Sequence, residues 1–213
     1  MGNVLMERRA AALLNKLMEN INGWSCIAPV SGWRSEQEQR DIWNNSMRES
    51  GGVFTRQYVA VPGCSEHQTG LAIDLGLYSS EMDFIRPEFP NTGICQMFRR
   101  HAAKYGFVER YPADKDCVTG IAHEPWHFRY VGAPHAEIME KLGLVLEEYH
   151  IMLKNYVYGT RTFKYDVGDL AFDICYLPAA AMDDMPAEKT ESTNLMLSGN
   201  NSDGYIITEW REK

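Results

Sequence analysis

The chain has no C-x-x-C pair among its five cysteines (Cys26, Cys64, Cys95, Cys117, Cys175). Neither a cysteine zinc knuckle nor a disulfide framework is therefore indicated, and reduced thiols in a reducing compartment are expected. It also lacks any Lys/Arg-rich run. Its 21 basic residues are outnumbered by 29 acidic ones, for a formal charge of −8, which leaves no basic stripe to follow phosphates and argues against nucleic acid as a partner. No apolar run approaches the roughly 18 residues that cross a bilayer. Met1 to Asn20 is too charged for a signal peptide, so the expected location is the cytoplasm, with no membrane partner for this chain. A leader or anchor trimmed upstream would instead imply a membrane-anchored or secreted protein. Internal repeats and low-complexity tracts are absent too. What is present is 213 residues of 45% hydrophobic composition, enough for one sizeable core and a small second unit.

Leu13, Leu14, Leu17, Met18 and Ile21 recur at helical spacing, predicting a helix over about residues 4 to 21 that Asn22-Gly23 ends. Ser31 to Arg34 reads as a turn. Ser35, with Glu38 three residues later, makes a capping box for a helix carrying Ile42, Trp43 and Met47, closed by Gly51-Gly52. Tyr58 to Val61 reads as a brief strand stopped by Pro62-Gly63. In Gly70 to Gly76 the letters alternate, setting Ala72 and Asp74 on one face and Leu71, Ile73 and Leu75 on the other: a strand that carries a carboxylate. Residues 92 to 105 predict a helix capped by Gly106, Phe107 to Tyr111 and Phe128 to Val131 read as extended, and Pro134 opens a last helix to about Tyr156. Leu170 to Leu177 and Tyr205 to Trp210 alternate again, joined by an acidic, Ala-rich segment and a Ser198 to Gly204 turn. The expected organisation is a catalytic domain over 1–156 and a small β-rich appendage over 157–213.

His123-Glu124-Pro125-Trp126-His127 spells H-E-x-x-H, a zinc-protease signature that needs a continuous helix to bring both imidazoles to one metal. Pro125 opposes that helix, at about 3 kcal/mol if interior. Trp126, Phe128, Tyr130 and Val131 favour a strand. Glu147, twenty residues after His127, stands where a third ligand of such a helix falls, but it belongs to a Glu147-Glu148 pair on a solvated helix face. In an extended segment bent at Pro125, Glu124 and His127 converge on one site and His127 needs ligands from elsewhere.

Cys64-Ser65-Glu66-His67-Gln68-Thr69-Gly70-Leu71-Ala72-Ile73-Asp74 offers them, with His67 in a loop, Asp74 on the following strand, and Gly70 and Ala72 small enough for close approach. His67, Asp74 and His127 make a His₂Asp set with an open position, the layout of a catalytic zinc. S-x-H-x-x-G-x-A-x-D followed by E-x-x-H, with Gly32-Trp33-Arg34-Ser35 upstream, resembles the zinc D,D-peptidases of vancomycin resistance and their cell-wall peptidase relatives. The matching segments span about residues 30 to 135.

That resemblance implies an α+β fold with a small central antiparallel sheet and flanking helices. It implies one Zn²⁺ per chain on His67, Asp74 and His127, with Glu124 as the base. The chemistry, apart from the resemblance, assigns Arg34, always protonated, as a second donor to the oxyanion, Ser65 to bond substrate or fix its loop, and Gln39, one turn into the Ser35-capped helix, to reach the substrate. The implied substrates are D-Ala-D-Ala or a muramyl pentapeptide precursor, hydrolysed by a monomer or homodimer and contributing to glycopeptide resistance. The alternatives are cleavage of an L-Ala-D-Glu or cross-bridge bond in peptidoglycan, and a non-catalytic zinc-binding cell-wall sensor. His101, His135 and His150 read as surface or packing residues.

Overall fold

The computed structural model describes residues 4–79, 83–184 and 193–213. Packing divides the chain into two units, Met1–Val145 and Leu146–Lys213. In chain order the first holds α1 (Arg8–Asn20), β1 (Ile27–Ser31), α2 (Glu36–Glu49), α3 (Gly51–Tyr58), β2 (Ala72–Leu77), α4 (Gly93–Ala102), β3 (Phe107–Tyr111), the short α5 (Asp116–Thr119), β4 (Glu124–Tyr130) and α6 (His135–Leu142). The fold is α+β, with antiparallel pairing throughout a sheet of order β1-β2-β4-β3.

Alternation along β2 does what the sequence pattern predicts. Ile73 and Leu75 enter the core with Leu14, Leu17 and Met18 of α1 and Phe98 of α4, so Asp74 must face the other side. Phe89, Phe98 and Phe128 meet edge to face, with ring centroids 4.8 to 5.6 Å apart, the geometry aromatic quadrupoles prefer.

β4 is a strand, as Pro125 and its aromatic neighbours predict. Its register against β3 shifts between Glu109 and Tyr111. Arg99 pins the irregular stretch: its guanidinium donates to the carbonyls of Pro125 at 2.7 Å, Phe89 at 2.8 Å and Pro90 at 3.0 Å, and its Nε to Glu109 at 2.7 Å.

Ser35 and Glu38 form the expected capping box on α2. Two local expectations fail, and one strand carries no sequence signal. Gly51, at φ +80°, interrupts the helix, but the chain restarts as α3 and no strand forms at Tyr58 to Val61. Thr55 is buried there, donating to the Gly51 carbonyl at 2.9 Å and bonded to Ser46 of α2 at 2.8 Å, and this packing outweighs the β preference of Tyr58 and Val59. Ile27–Ser31, which carries no clear alternation, is an edge strand paired with β2. The last helix is two: Gly143 at φ +65° ends α6, where only a glycine-like backbone closes the turn cheaply, and α7 (Leu146–Leu153) follows.

The second unit contains α7, β5 (Phe163–Val167), β6 (Leu170–Pro178), β7 (Leu195–Gly199) and β8 (Gly204–Glu212). They form an antiparallel sheet of order β5-β6-β8-β7 around Leu177 and Ile207. The two alternating stretches are its central pair, β6 and β8. Of the acidic, Ala-rich segment, Ala179–Asp184 form a 3-10 turn, and residues 185 to 192 lie outside the described residues, as do 1 to 3 and 80 to 82. Among the described residues no helix is long and apolar enough to cross a membrane.

Candidate active site

Asp74 of β2 and His127 of β4 are direct cross-strand partners, so their side chains emerge together on the face away from the α1 core. Ser65 leads into a 3-10 turn, Glu66–Thr69, that ends at Gly70 with φ +72°. A Cβ on Gly70 would lie 3.0 Å from the Glu7 nitrogen, and Glu7 N donates to the Gly70 carbonyl at 2.8 Å. This pinned reversal drops His67 beside Asp74.

The ligand-bearing atoms of His67, Asp74 and His127 all lie within 4.8 Å of one another, and all three residues are buried. Asp74 bridges the rings: Oδ2 is 3.2 Å from His67 Nε2 and Oδ1 is 3.0 Å from His127 Nδ1. His67 Nδ1 lies 2.7 Å from the Gly32 carbonyl and can only donate to it, which leaves Nε2 with its lone pair toward Asp74. Two imidazoles and one carboxylate in a buried cluster suit a divalent zinc-like ion, so the residues fit the metal.

The charges are strongly coupled. Burial pushes the Asp74 carboxyl up, but His67 and His127 outweigh it and hold the group well below the usual carboxylate range. Burial keeps His67 below its ordinary value despite Asp74. For His127 burial also pulls downward, and the carboxylates of Asp74 and Glu66 overcome it, raising the polypeptide's imidazole to about 9.

Glu124 Oε2 is 3.8 Å from His127 Nδ1. Burial is the main reason its carboxyl is raised to about 7, with the Asp74 charge adding to it. Arg34 reaches the same cluster, with Nη2 at 3.5 Å from Asp74 Oδ2. Its Nε is buried with no hydrogen-bond partner among the described residues. Gln39 is only 1% exposed and is spent on the protein: Oε1 accepts from Arg34 Nη1 at 3.0 Å, and Nε2 donates to the Ala60 carbonyl at 2.8 Å. It braces Arg34 instead of lining an open cleft. Ser65 is buried, and its hydroxyl makes no capping bond to the turn it precedes.

The layer beneath carries no motif in the sequence that marks it as part of the site. Glu66 Oε1 lies 2.7 Å from Arg110 Nε and 3.0 Å from Arg129 Nη1, with both arginines buried. Burial would raise the Glu66 carboxyl, but His127, Arg129 and Arg110 hold it far below its usual range. Tyr111 packs on His127 with ring centroids 4.9 Å apart. Arg129 follows His127 by two in a strand, so the period-2 pattern alone places both on one face.

A family model described as D-alanyl-D-alanine carboxypeptidase, VanY, matches residues 3–133. The chain belongs to the VanY family. Over 125 residues it is 50% identical to the bifunctional D-Ala-D-Ala dipeptidase and carboxypeptidase VanXYC of Enterococcus gallinarum, a match covering 58% of this chain and 66% of that relative's own length. It resembles the crystal structure of the vancomycin-resistance D,D-dipeptidase VanXYg, in complex with a D-Ala-D-Ala phosphinate analogue, at 47% identity and a TM-score of 0.90 over 98% of this chain and 83% of the other. A variant of the D,D-pentapeptidase VanY from a VanB-type resistance cassette, solved with Zn(II), matches at 30% identity and a TM-score of 0.55, covering 68% of this chain and 83% of that one. This VanY-family chain, whose His-Asp-His cluster could hold a metal ion, thus has a structural neighbour solved with Zn(II).

Proposed function

We propose that this chain is a zinc D,D-peptidase that hydrolyses the terminal D-Ala-D-Ala bond of cell-wall precursors, as the free dipeptide, the muramyl pentapeptide or both, and so contributes to glycopeptide resistance. The observation that carries the proposal is the convergence of three buried ligand residues with a carboxyl raised to about 7 beside them. His67, Asp74 and His127 would hold one zinc ion per chain. When bound, the metal supplies Lewis-acid polarisation of the scissile carbonyl and acidifies water.

Glu124 is the base. With its pKa brought near neutrality by burial, it takes a proton from the attacking water and returns it to the leaving amine. Arg34 remains cationic, and its guanidinium, fixed by Gln39 and Asp74, faces the oxygen on which negative charge develops. Ser65 orients the substrate from the mouth of the His67 loop. A sensor domain needs no base, so the buried Glu124 beside His127 supports hydrolysis. Five cysteines outside any disulfide, three of them exposed, are compatible with the cytoplasm as the working compartment.

The test is release of D-Ala from D-Ala-D-Ala and from a muramyl pentapeptide by zinc-loaded protein. Turnover of either supports the assignment. Inactivity toward both, with zinc demonstrably bound, overturns it.

A further inference from the structure

The buried layer under the cluster has a direction. Glu66 places one oxygen, Oε1, between Arg110 and Arg129, and this grip turns the other, Oε2, toward His127 Nε2 at 3.6 Å. Both of those atoms are buried, and neither has a hydrogen-bond partner among the described residues. At 3.6 Å they are not yet bonded; a shift of roughly 0.7 Å would bring them to ordinary hydrogen-bond length. The opposite nitrogen, Nδ1, is the one that faces Asp74. A neutral imidazole carries one proton, so a ring that gives Nδ1 to a metal must keep its hydrogen on Nε2, where a buried donor requires an acceptor.

We propose that Glu66, clamped by Arg110 and Arg129, is a positioning residue that fixes His127 in the Nε2–H tautomer and so presents Nδ1 to the metal. The inference rests on the zinc reading above. The two arginines have a distinct part in it: they offset the cost of burying the carboxylate and stop it rotating into the ligand cluster. Glu66 thereby serves His127 as the Gly32 carbonyl serves His67, with a charged acceptor in place of a neutral one.

Two measurements test this. In zinc-loaded wild-type protein, long-range ¹H–¹⁵N correlation of the imidazoles should find the His127 proton on Nε2 and the metal-shifted nitrogen at Nδ1. The reverse assignment overturns the proposal whether or not any variant folds. In chelator competition, Glu66→Gln should bind zinc about 10- to 100-fold more weakly, the usual effect of losing a carboxylate behind a ligating histidine, and Glu66→Asp should recover part of the loss. Zinc affinity equal to wild type in a folded Glu66→Gln overturns the proposal while leaving the zinc-peptidase reading intact. A wild-type chain that takes up no zinc overturns both.

Discussion

Asp74 and His127 face each other across the β2–β4 ladder, with Asp74 Oδ1 3.0 Å from His127 Nδ1. One register therefore fixes two of the three candidate ligands, and a slip of a single residue would turn both side chains to the opposite face. Asp74→Asn keeps the shape and removes the charge that holds the imidazoles together. Zinc affinity should fall by more than about 100-fold, beyond the loss typical of partners that only support a ligand. Competition with a chromogenic chelator measures it, and D-Ala release should disappear in parallel.

The raised values of His127 and Glu124 predict opposite pH responses for metal-free and metal-loaded protein. His127 at about 9 lies above its ordinary 6.5, so its contribution to stability is fully present below about 6.5 and lost as pH rises through 9. Glu124 at about 7 lies above 4.5, so its contribution is present below about 4.5 and lost as pH rises through 7. His67, held below its ordinary value, acts in the opposite sense up to about pH 6.5, so the thermal midpoint of chelator-stripped protein should fall as pH rises from about 7 through 9. Zinc requires His127 deprotonated, so affinity should climb over the upper part of that range and binding near neutrality should release protons. Calorimetry in buffers of different ionisation enthalpy counts them.

Glu124→Gln separates chemistry from metal binding. A general base contributes about 10²- to 10⁴-fold, so kcat should drop by that much while zinc stays bound. The wild-type rate should rise with pH through an apparent value near 7, and the variant should lose that limb.

The legible part of this protein was its spaced chemistry. Asp74, Glu124 and His127 are readable because strand alternation and a helix-opposing proline bear on side-chain placement without knowledge of the tertiary fold: GLAIDLG points Asp74 away from Ile73 and Leu75, and Pro125 disfavours the helix that H-E-x-x-H suggests, whereas His67, in a loop, is marked by its motif alone. The strand at Ile27–Ser31 was hidden because its pairing with β2, not its own pattern, defines it. A polar side chain near a helix start is ordinarily solvated, so nothing in the sequence marks Gln39 as buried, and only the fold brings the Ala60 carbonyl to it. Arg110 and Arg129 gave no signal as a pair, since their common partner, Glu66, is distant in sequence.

Arg34 and Gln39 should behave as a coupled pair. Arg34→Lys keeps a charge but loses the fork that reaches Gln39 and Asp74 together. The loss of one such donor typically costs about 10²- to 10³-fold in kcat, with zinc affinity little changed. Gln39→Ala removes the brace and strands the Ala60 carbonyl. Its effect on kcat should be smaller, and it should add little to Arg34→Lys in the double variant, as expected when one residue acts through the other.

Gly32 tolerates no side chain without a backbone shift. A Cβ there would meet the Leu5 carbonyl oxygen at 2.2 Å and a Val4 methyl at 2.6 Å, and the backbone on both sides is tied because Trp33 N donates to that same Leu5 oxygen at 2.6 Å. The clash is with main chain, so no side-chain rotation relieves it. Gly32→Ala must push the segment outward, at the 1 to 3 kcal/mol or so typical of overpacking. The same shift carries away the carbonyl that orients His67 Nδ1 at 2.7 Å. A lowered thermal midpoint should therefore be accompanied by weaker zinc binding, whereas a clash confined to packing would lower the midpoint alone.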